Sequence, residues 1–145
     1  ERTLPLVDFF KGYRQTALQP GEVIVSCKIS RALAPGAVRR LSQSYKIGKR
    51  GTDDISIVAA AFTIDLDAQN QIVHARLAYG GVAATPIRAL AIETWLVGKP
   101  WNAETIQQAK SRLKTAFTPL SDLRGSAEYR KLLIANLFEK FFVEH

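Results

Sequence analysis

The spacing of apolar residues changes once along this 145-residue chain, at Gly80-Gly81, and this change constrains the fold more than any other feature. Before the glycine pair, apolar and polar residues alternate, as is typical of half-buried strands. After it, apolar residues recur three and four positions apart, as is typical of helices that bury one side. A run of strands followed by a run of helices favours an α+β fold over a parallel sheet of alternating strands and helices.

Four segments before the glycine pair are predicted to be strands. They are residues 22–29, 41–47, 55–66 and 72–79. A short polar connection joins the last two, so we expect a three- to four-stranded antiparallel sheet. Ahead of these strands, residues 4–13 are expected to form a short helix that stops at Gly12.

Three helices are predicted between residues 85 and 143, packed on one face of the sheet. Thr85 followed by Pro86 is a typical helix start, and Gly98 would end that helix. Asn102 and Ser126 are expected to cap the second and third helices. The last helix has a broad apolar face that we expect in the core or at an interface, formed by Ile134, Leu137, Phe138, Phe141 and Phe142.

The composition excludes several kinds of site. A single cysteine, Cys27, allows neither an internal disulfide nor a four-cysteine cluster, and it favours a reducing cytoplasm. The formal charge of +7 would suit nucleic acid, an acidic partner or a phosphate-bearing cofactor, but the basic residues are dispersed, so we expect no nucleic-acid binding. No apolar run approaches the roughly 20 residues that span a bilayer, and we expect no membrane association. Because Glu1 is not Met, we expect a piece of a longer protein.

Candidate catalytic residues are few. We expect His74 to be a surface strand residue rather than a general base, and Cys27 to be a small buried hydrophobe. Asp53-Asp54 is an adjacent acidic pair whose side chains point apart on an extended chain, so no metal site is predicted there. Gly80-Gly81 fits either a tight strand-to-helix turn or the close approach of a ligand. The residues alone indicate an accessory module.

Four stretches carry more specific motifs. They are FFKGYRQT with LQPGE in residues 9–22, the segment from Lys46 to DDIS at 53–56, AYGGVA with TPIRA in 78–89, and SDLRGSAEYR at 121–130. In this order they resemble the C-terminal domain of the FAD-binding subunit of xanthine dehydrogenase-type molybdenum hydroxylases. The wider family includes the carbon monoxide, nicotinate and aldehyde dehydrogenases, and the last motif favours the xanthine branch.

The resemblance implies a division of labour. Electrons would leave a purine at molybdopterin-bound molybdenum, pass two [2Fe-2S] clusters, reach FAD and continue to NAD. Residues 1–145 would be one domain that closes over the flavin, while the preceding FAD lobe, the iron-sulfur domain and the molybdenum-binding subunit or domain would be its partners. We expect this fragment alone to be inactive and to hold no FAD, because a pocket between two lobes loses half its contacts when one is removed. The alternatives are a non-enzymatic subunit-docking module or the flavin subunit of a related hydroxylase.

The resemblance also assigns site residues. Lys46 and Ile24 match flavin-adjacent positions, although the residues alone favour Lys46 as a solvated strand residue. A loop that controls NAD access to the flavin would comprise Ile47, Gly48, Lys49, Arg50, Gly51, Thr52, Asp53 and Asp54. We expect Lys46 at a strand end, Ile24 on a neighbouring strand, and the loop beside them at one edge of the sheet. No catalytic residue and no metal ligand is assigned.

Overall fold

The computed structural model describes residues 1–50 and 53–145. These residues group into two compact units, Glu1–Ala32 and Leu33–His145. Each unit is described by itself. The single domain of residues 1–145 stays a prediction.

The first unit contains one 3-10 turn and one small hairpin. The turn spans Leu6–Asp8, and strands β1 (Phe10–Gly12) and β2 (Gln15–Thr16) pair antiparallel around Arg14, whose φ is 57°. The predicted helix over residues 4–13 is therefore wrong. A short helix depends on burying one side, and here the apolar residues near its start, Leu6 and Val7, are 73% and 83% exposed.

The predicted strand over residues 22–29 is also wrong. The segment is assigned no strand, and Val23, Val25 and Ile29 are largely exposed. Alternating sequence makes a strand only where a neighbour accepts and donates backbone hydrogen bonds, and no segment of the described chain pairs with this one. Cys27 is likewise exposed rather than buried.

The second unit is built on a four-stranded antiparallel sheet. Its strands lie in the order β3 (Arg39–Ile47), β4 (Val58–Leu66), β5 (Ile72–Gly80) and β6 (Ile87–Arg88). The α+β class and the antiparallel sheet are confirmed. The fourth strand is, however, the two-residue β6 rather than residues 22–29.

Three helices follow the sheet, as predicted. They are α1 (Leu90–Leu96), α2 (Ala103–Leu113) and α3 (Ala127–Val143). Asn102 and Ser126 cap α2 and α3, because their side-chain oxygens accept hydrogen bonds from the Thr105 and Tyr129 amides at 2.9 and 3.1 Å.

The start predicted at Thr85-Pro86 is wrong, because β6 occupies the chain after it. Ala89 N donates to Leu77 O at 2.9 Å, which extends the pairing between β6 and β5. The buried carboxylate of Glu93 then accepts from Leu77 N at 2.7 Å and from the Arg88 guanidinium. These contacts favour a strand at residues 87–88 and delay the helix to Leu90.

The core lies between the helices and one face of the sheet. Phe62 of β4 is at its centre, with ring centroids 5.5 Å from Phe138 and 5.6 Å from Phe141 of α3. Both α3 rings are fully buried, as predicted, and Phe142 is partly buried against Trp101. Of the helices in residues 1–50 and 53–145, none is long and apolar enough to span a bilayer.

Candidate functional site

The residues on the other face of the sheet are small near one end and charged near the other. At the first end, Lys46 of β3 pairs with Ala59 of β4, which pairs with Gly80 of β5. Their neighbours Val58 and Ala60 are buried on the helix side, so alternation directs Lys46 and Ala59 to the opposite face. We call this row, Lys46, Ala59 and Gly80, the lysine row.

Lys46 lies at a strand end, as predicted, and its role beside a flavin stays a prediction. Lys46 is the penultimate residue of β3 and is exposed. The next row contains Ser44, Ala61 and Ala78, so the surface beside the lysine has short side chains. Short side chains next to one cation leave room for a planar, electron-rich ligand.

Ile24 is not placed where the sequence predicted it. It belongs to the first unit, is 59% exposed and lies in a segment assigned no strand. Its expected position on a strand neighbouring Lys46 is therefore wrong. The alternation of residues 22–29 could not reveal whether a sheet edge was available to them.

The loop after β3 begins directly beside the lysine row. The backbone of Ile57 closes it, because Ile57 N donates to Ile47 O at 2.6 Å. Lys49 Nζ donates to Leu123 O at 2.6 Å, and this contact joins the loop to the turn before α3.

Among the other loop residues that the structure describes, Arg50 is exposed and Asp54 is half-buried. Arg50 Nε lies 3.6 Å from Asp54 Oδ2, and Asp54 Oδ1 accepts from Ile55 N at 2.8 Å. The hydrogen bond from Ile55 and the charge of Arg50 lower the Asp54 pKa. Gly48 is half-buried, Asp53 is exposed, and Gly51 and Thr52 lie outside the described residues.

A buried arginine lies on the helix side of this end of the sheet. Arg130 of α3 is 4% exposed, and its Nη1 donates to Gly81 O at 2.7 Å and to Ile57 O. Its Nη2 donates to Asp122 Oδ1 at 2.7 Å. One side chain thus joins the start of β4, the end of β5 and the turn before α3.

The turn before α3 is ordered by the same carboxylate. Asp122 Oδ1 accepts from the backbone N of Arg124 at 2.9 Å and of Gly125 at 3.2 Å. The Arg124 amide, then the Arg130 guanidinium and the Gly125 amide, lower the Asp122 pKa to about 2. Asp122 is therefore ionised at neutral pH.

Gly81 is required by the backbone at this point. Its φ is 78°, and an added Cβ would lie 2.4 Å from Ile57 O and 3.2 Å from Arg130 Nη1. Gly80 differs, since its φ is not in the left-handed region and an added Cβ would meet Ala59 Cβ at an ordinary 3.6 Å. The tight-turn interpretation of the glycine pair therefore holds for Gly81. The backbone does not require glycine at position 80.

Sequence reasoning missed Arg130 as a site residue. The signal was available, because Arg130 precedes Ile134, Phe138 and Phe141 at helical spacing and thus lies on an apolar face. A cation at such a position needs specific partners, which the sequence does not name.

Sequence reasoning also missed a charged row at the far end of the same face. Arg40 donates to the buried carboxylate of Asp65 at 2.6 and 2.7 Å, and Ala34 N donates to it at 2.9 Å. His74 Nδ1 lies 3.8 Å from that carboxylate, and the ring is one-third exposed, so His74 is less exposed than expected. Among the residues described, no cluster of three or more His, Cys, Asp and Glu could hold a metal ion.

Comparison with known proteins identifies the class to which this fold belongs. Residues 43–145 match the profile of the CO dehydrogenase flavoprotein C-terminal domain. Among solved structures, a carbon monoxide dehydrogenase from Hydrogenophaga pseudoflava superposes with a TM-score of 0.80 at 31% identity, covering 96% of this chain and 46% of that one.

Curated relatives belong to the same class. The xanthine dehydrogenase of Emericella nidulans is 35% identical over 144 residues, which cover 98% of this chain and 10% of that protein. The glyceraldehyde dehydrogenase medium chain of Sulfolobus acidocaldarius is 31% identical over 143 residues, covering 99% of this chain and 48% of that one. This chain thus spans from about a tenth to about half of the relatives it matches. The chain belongs to the CO dehydrogenase flavoprotein C-terminal domain family, and the resemblance found in its sequence is confirmed.

Proposed function

We propose that this chain closes the FAD site of a molybdenum hydroxylase-type oxidoreductase, with the lysine row facing the flavin. The observation that carries the proposal is the lysine row, with Lys46 exposed, in a domain of this flavoprotein family. Bound FAD would supply the two-electron chemistry that passes electrons to an acceptor.

The residues present fit a flavin in shape and charge. Ala59 and Gly80 leave room for a planar ring to approach the backbone, and the fold alone does not require glycine at position 80. Lys46 would place a positive charge beside a ring that gains negative charge on reduction, and this favours the reduced form. In this proposal the chain contributes shape and electrostatics, while the preceding lobe would hold the pyrophosphate.

The loop from Ile47 to Asp54 is proposed to control NAD access to the flavin. Lys49 and Arg50 are cationic and begin the loop beside the lysine row. A cationic approach attracts the negatively charged pyrophosphate of a dinucleotide. The molybdopterin-bound molybdenum and the [2Fe-2S] clusters in the partner domains would carry electrons from the oxidised substrate to the flavin, and the enzyme would work in the cytoplasm.

The substrate proposed is a purine. It is supported by the xanthine dehydrogenase of Emericella nidulans and by residues 121–130, which resemble the xanthine branch. The glyceraldehyde dehydrogenase medium chain matches over the same length, so the class of enzyme is better supported than its substrate.

The test of this function is Lys46→Met in the assembled enzyme. We expect NAD-dependent turnover to fall by roughly tenfold. This is less than the about 10²–10³ lost when a preorganised donor is removed from a water-excluded site, because Lys46 is exposed. Turnover with a dye that takes electrons before the flavin should change little, because hydroxylation occurs at the molybdenum. Both activities are measured on the same preparations, together with flavin content.

The matched control is Lys114→Met, which removes the same charge from an exposed position after α2. Equal losses in the NAD and dye assays, with flavin content and folding unchanged, would show that Lys46 has no flavin-specific role.

A docking module without a flavin is the second candidate. Leu120 and Leu123, in the turn before α3, are 83% and 95% exposed, and exposed leucines in an ordered turn suit contact with another subunit. An assembled protein that lacks flavin absorption but loses a subunit on Leu123→Ser would favour this function.

A further inference from the structure

We propose that Arg130 is a positioning residue for the lysine row, an inference that rests on the proposed function. Arg130 lies on the helix side of the sheet, whereas Lys46 lies on the opposite face. Its effect on a bound flavin would therefore pass through the backbone of the strands between them.

Two of the three contacts of Arg130 lie beside strands of the lysine row, at the start of β4 and the end of β5. Ile57 lies two residues before Ala59, and Gly81 directly follows Gly80. The two carbonyls directly flank β4 and β5, and both accept from Nη1 of the same guanidinium. Since Ile57 N donates to Ile47 O at 2.6 Å, the ends of β3, β4 and β5 are set relative to one another around Arg130.

The geometry requires an arginine rather than any cation. A guanidinium presents several donors in one rigid plane, and here its two terminal nitrogens reach two carbonyls and one carboxylate. A lysine ammonium has its three donors on one nitrogen, whereas these acceptors are reached from two separate nitrogens, so lysine would release at least one of the three segments. Arg130 Nε is buried without a hydrogen-bond partner in the described residues, so the two terminal nitrogens determine how the side chain is held.

The same turn connects Arg130 to the loop beside the lysine row. Asp122 accepts from Arg130, and the carbonyl of the next residue, Leu123, accepts from Lys49. Displacement of Asp122 would therefore shift both the lysine row and the cationic start of the loop. A residue that fixes both is placed to tune how flavin and dinucleotide meet, although it touches neither.

The experiment is Arg130→Lys in the assembled enzyme, with Arg124→Lys as the matched control. Arg124 is a neighbouring exposed arginine that contacts Asp122 at 3.3 Å but reaches neither strand. For Arg130→Lys we expect a changed visible circular dichroism band of the flavin. We also expect a roughly tenfold or larger loss of kcat/KM for NAD, because misplacement by about 1 Å costs up to about 10²-fold. Dye-linked turnover should stay within about twofold of the parent, since chemistry at the molybdenum is untouched.

Flavin content distinguishes failure of the proposed function from failure of the role of Arg130. Parent enzyme without flavin absorption would overturn the proposed function and this inference with it. Parent enzyme with flavin, and an Arg130→Lys variant with unchanged dichroism and kcat/KM for NAD, would overturn only the role of Arg130.

If Arg130→Lys does not fold, a second variant tests the proposal. Asp122→Asn retains an oxygen for the Arg124 and Gly125 amides and removes only the charge that faces Arg130. The same dichroism change and the same loss confined to NAD are expected in weaker form. If Arg130→Lys is unfolded and Asp122→Asn has the dichroism and the kcat/KM for NAD of the parent, then Arg130 has only a structural role and the proposal is overturned.

Discussion

At the residue scale, residues of the same type or charge have different roles in this protein. Gly81 has a left-handed backbone and no space for a Cβ, whereas Gly80 has an ordinary strand conformation and faces the open side of the sheet. Two cations also differ in role: Arg130 is buried and donates to carbonyls, whereas Lys46 is exposed. Residue type alone does not distinguish such pairs.

The glycine pair gives a prediction with an internal control. Gly81→Ala should lower the free energy of unfolding by at least about 1–3 kcal/mol, because it forces a left-handed alanine whose Cβ meets Ile57 O. Gly80→Ala should leave stability unchanged or raise it by up to about 1 kcal/mol, since glycine weakens a strand interior. In the assembled enzyme, the methyl at position 80 should nevertheless reduce flavin content.

Urea denaturation and flavin absorbance measure these outcomes. Equal destabilisation by both substitutions would contradict the division of roles. Full flavin content in Gly80→Ala would contradict the proposed close approach of the flavin ring to the backbone at this position.

At the scale of elements, caps and pairing partners decide where each helix and strand begins. Side chains of Asn102 and Ser126 satisfy amides of their own helices, so a local rule was enough to predict α2 and α3. For α1, a good local signal at Thr85-Pro86 was overridden by pairing of Ile87 and Arg88 with β5. Strand pairing is non-local, and a local motif does not report it.

The caps can be compared directly. Ser126→Ala and Asn102→Ala should each cost about 0.5–2 kcal/mol of unfolding free energy, because each leaves a helix amide without its acceptor. Thr85→Ala should change stability by less than about 0.5 kcal/mol, because α1 begins at Leu90 and not at this residue. Thermal and urea denaturation of the three variants provide the measurement, and a cost at Thr85 equal to that at Ser126 would be inconsistent with the observed start of α1.

At the scale of the whole molecule, buried or multiply bonded carboxylates connect parts of the chain that are distant in sequence. Asp65 is buried between neighbouring strands, and the Arg40 guanidinium and the Ala34 amide lower its pKa. Asp122 joins the turn before α3 to the sheet through Arg130, and its pKa is about 2. The stability of the fold therefore depends on these groups remaining ionised.

Acid should destabilise the protein in a defined range. Carboxylates whose pKa values are lower in the folded chain stabilise it above their unfolded pKa of about 4, and this stabilisation is lost as pH falls through the folded pKa. The free energy of unfolding should thus fall between about pH 4 and pH 2. In Asp122→Asn the decline should be shallower, because one of these groups is gone.

Urea denaturation at several pH values between 2.5 and 6 tests this expectation. Asp53→Asn removes the same charge from an exposed loop position and should follow the parent curve. An Asp122→Asn variant as acid-sensitive as the parent would show that the Asp122 contact does not contribute in this range.

The sequence by itself determined features that depend on residues close together along the chain. The periods before and after Gly80-Gly81 predicted the α+β class, Asn102 and Ser126 predicted two helix starts, and short motifs in order identified the family. Each follows from local geometry, because side-chain direction repeats every two residues in a strand and every 3.6 in a helix.

Only the tertiary structure decided which segments find partners. Residues 22–29 alternate like a strand yet are assigned none, while the unremarkable pair Ile87-Arg88 becomes one. Arg130 acquires its role from two carbonyls 73 and 49 positions away. Backbone hydrogen bonding and the burial of a charge are satisfied by groups that are distant in sequence, and their positions are set when the chain packs, not by the local pattern.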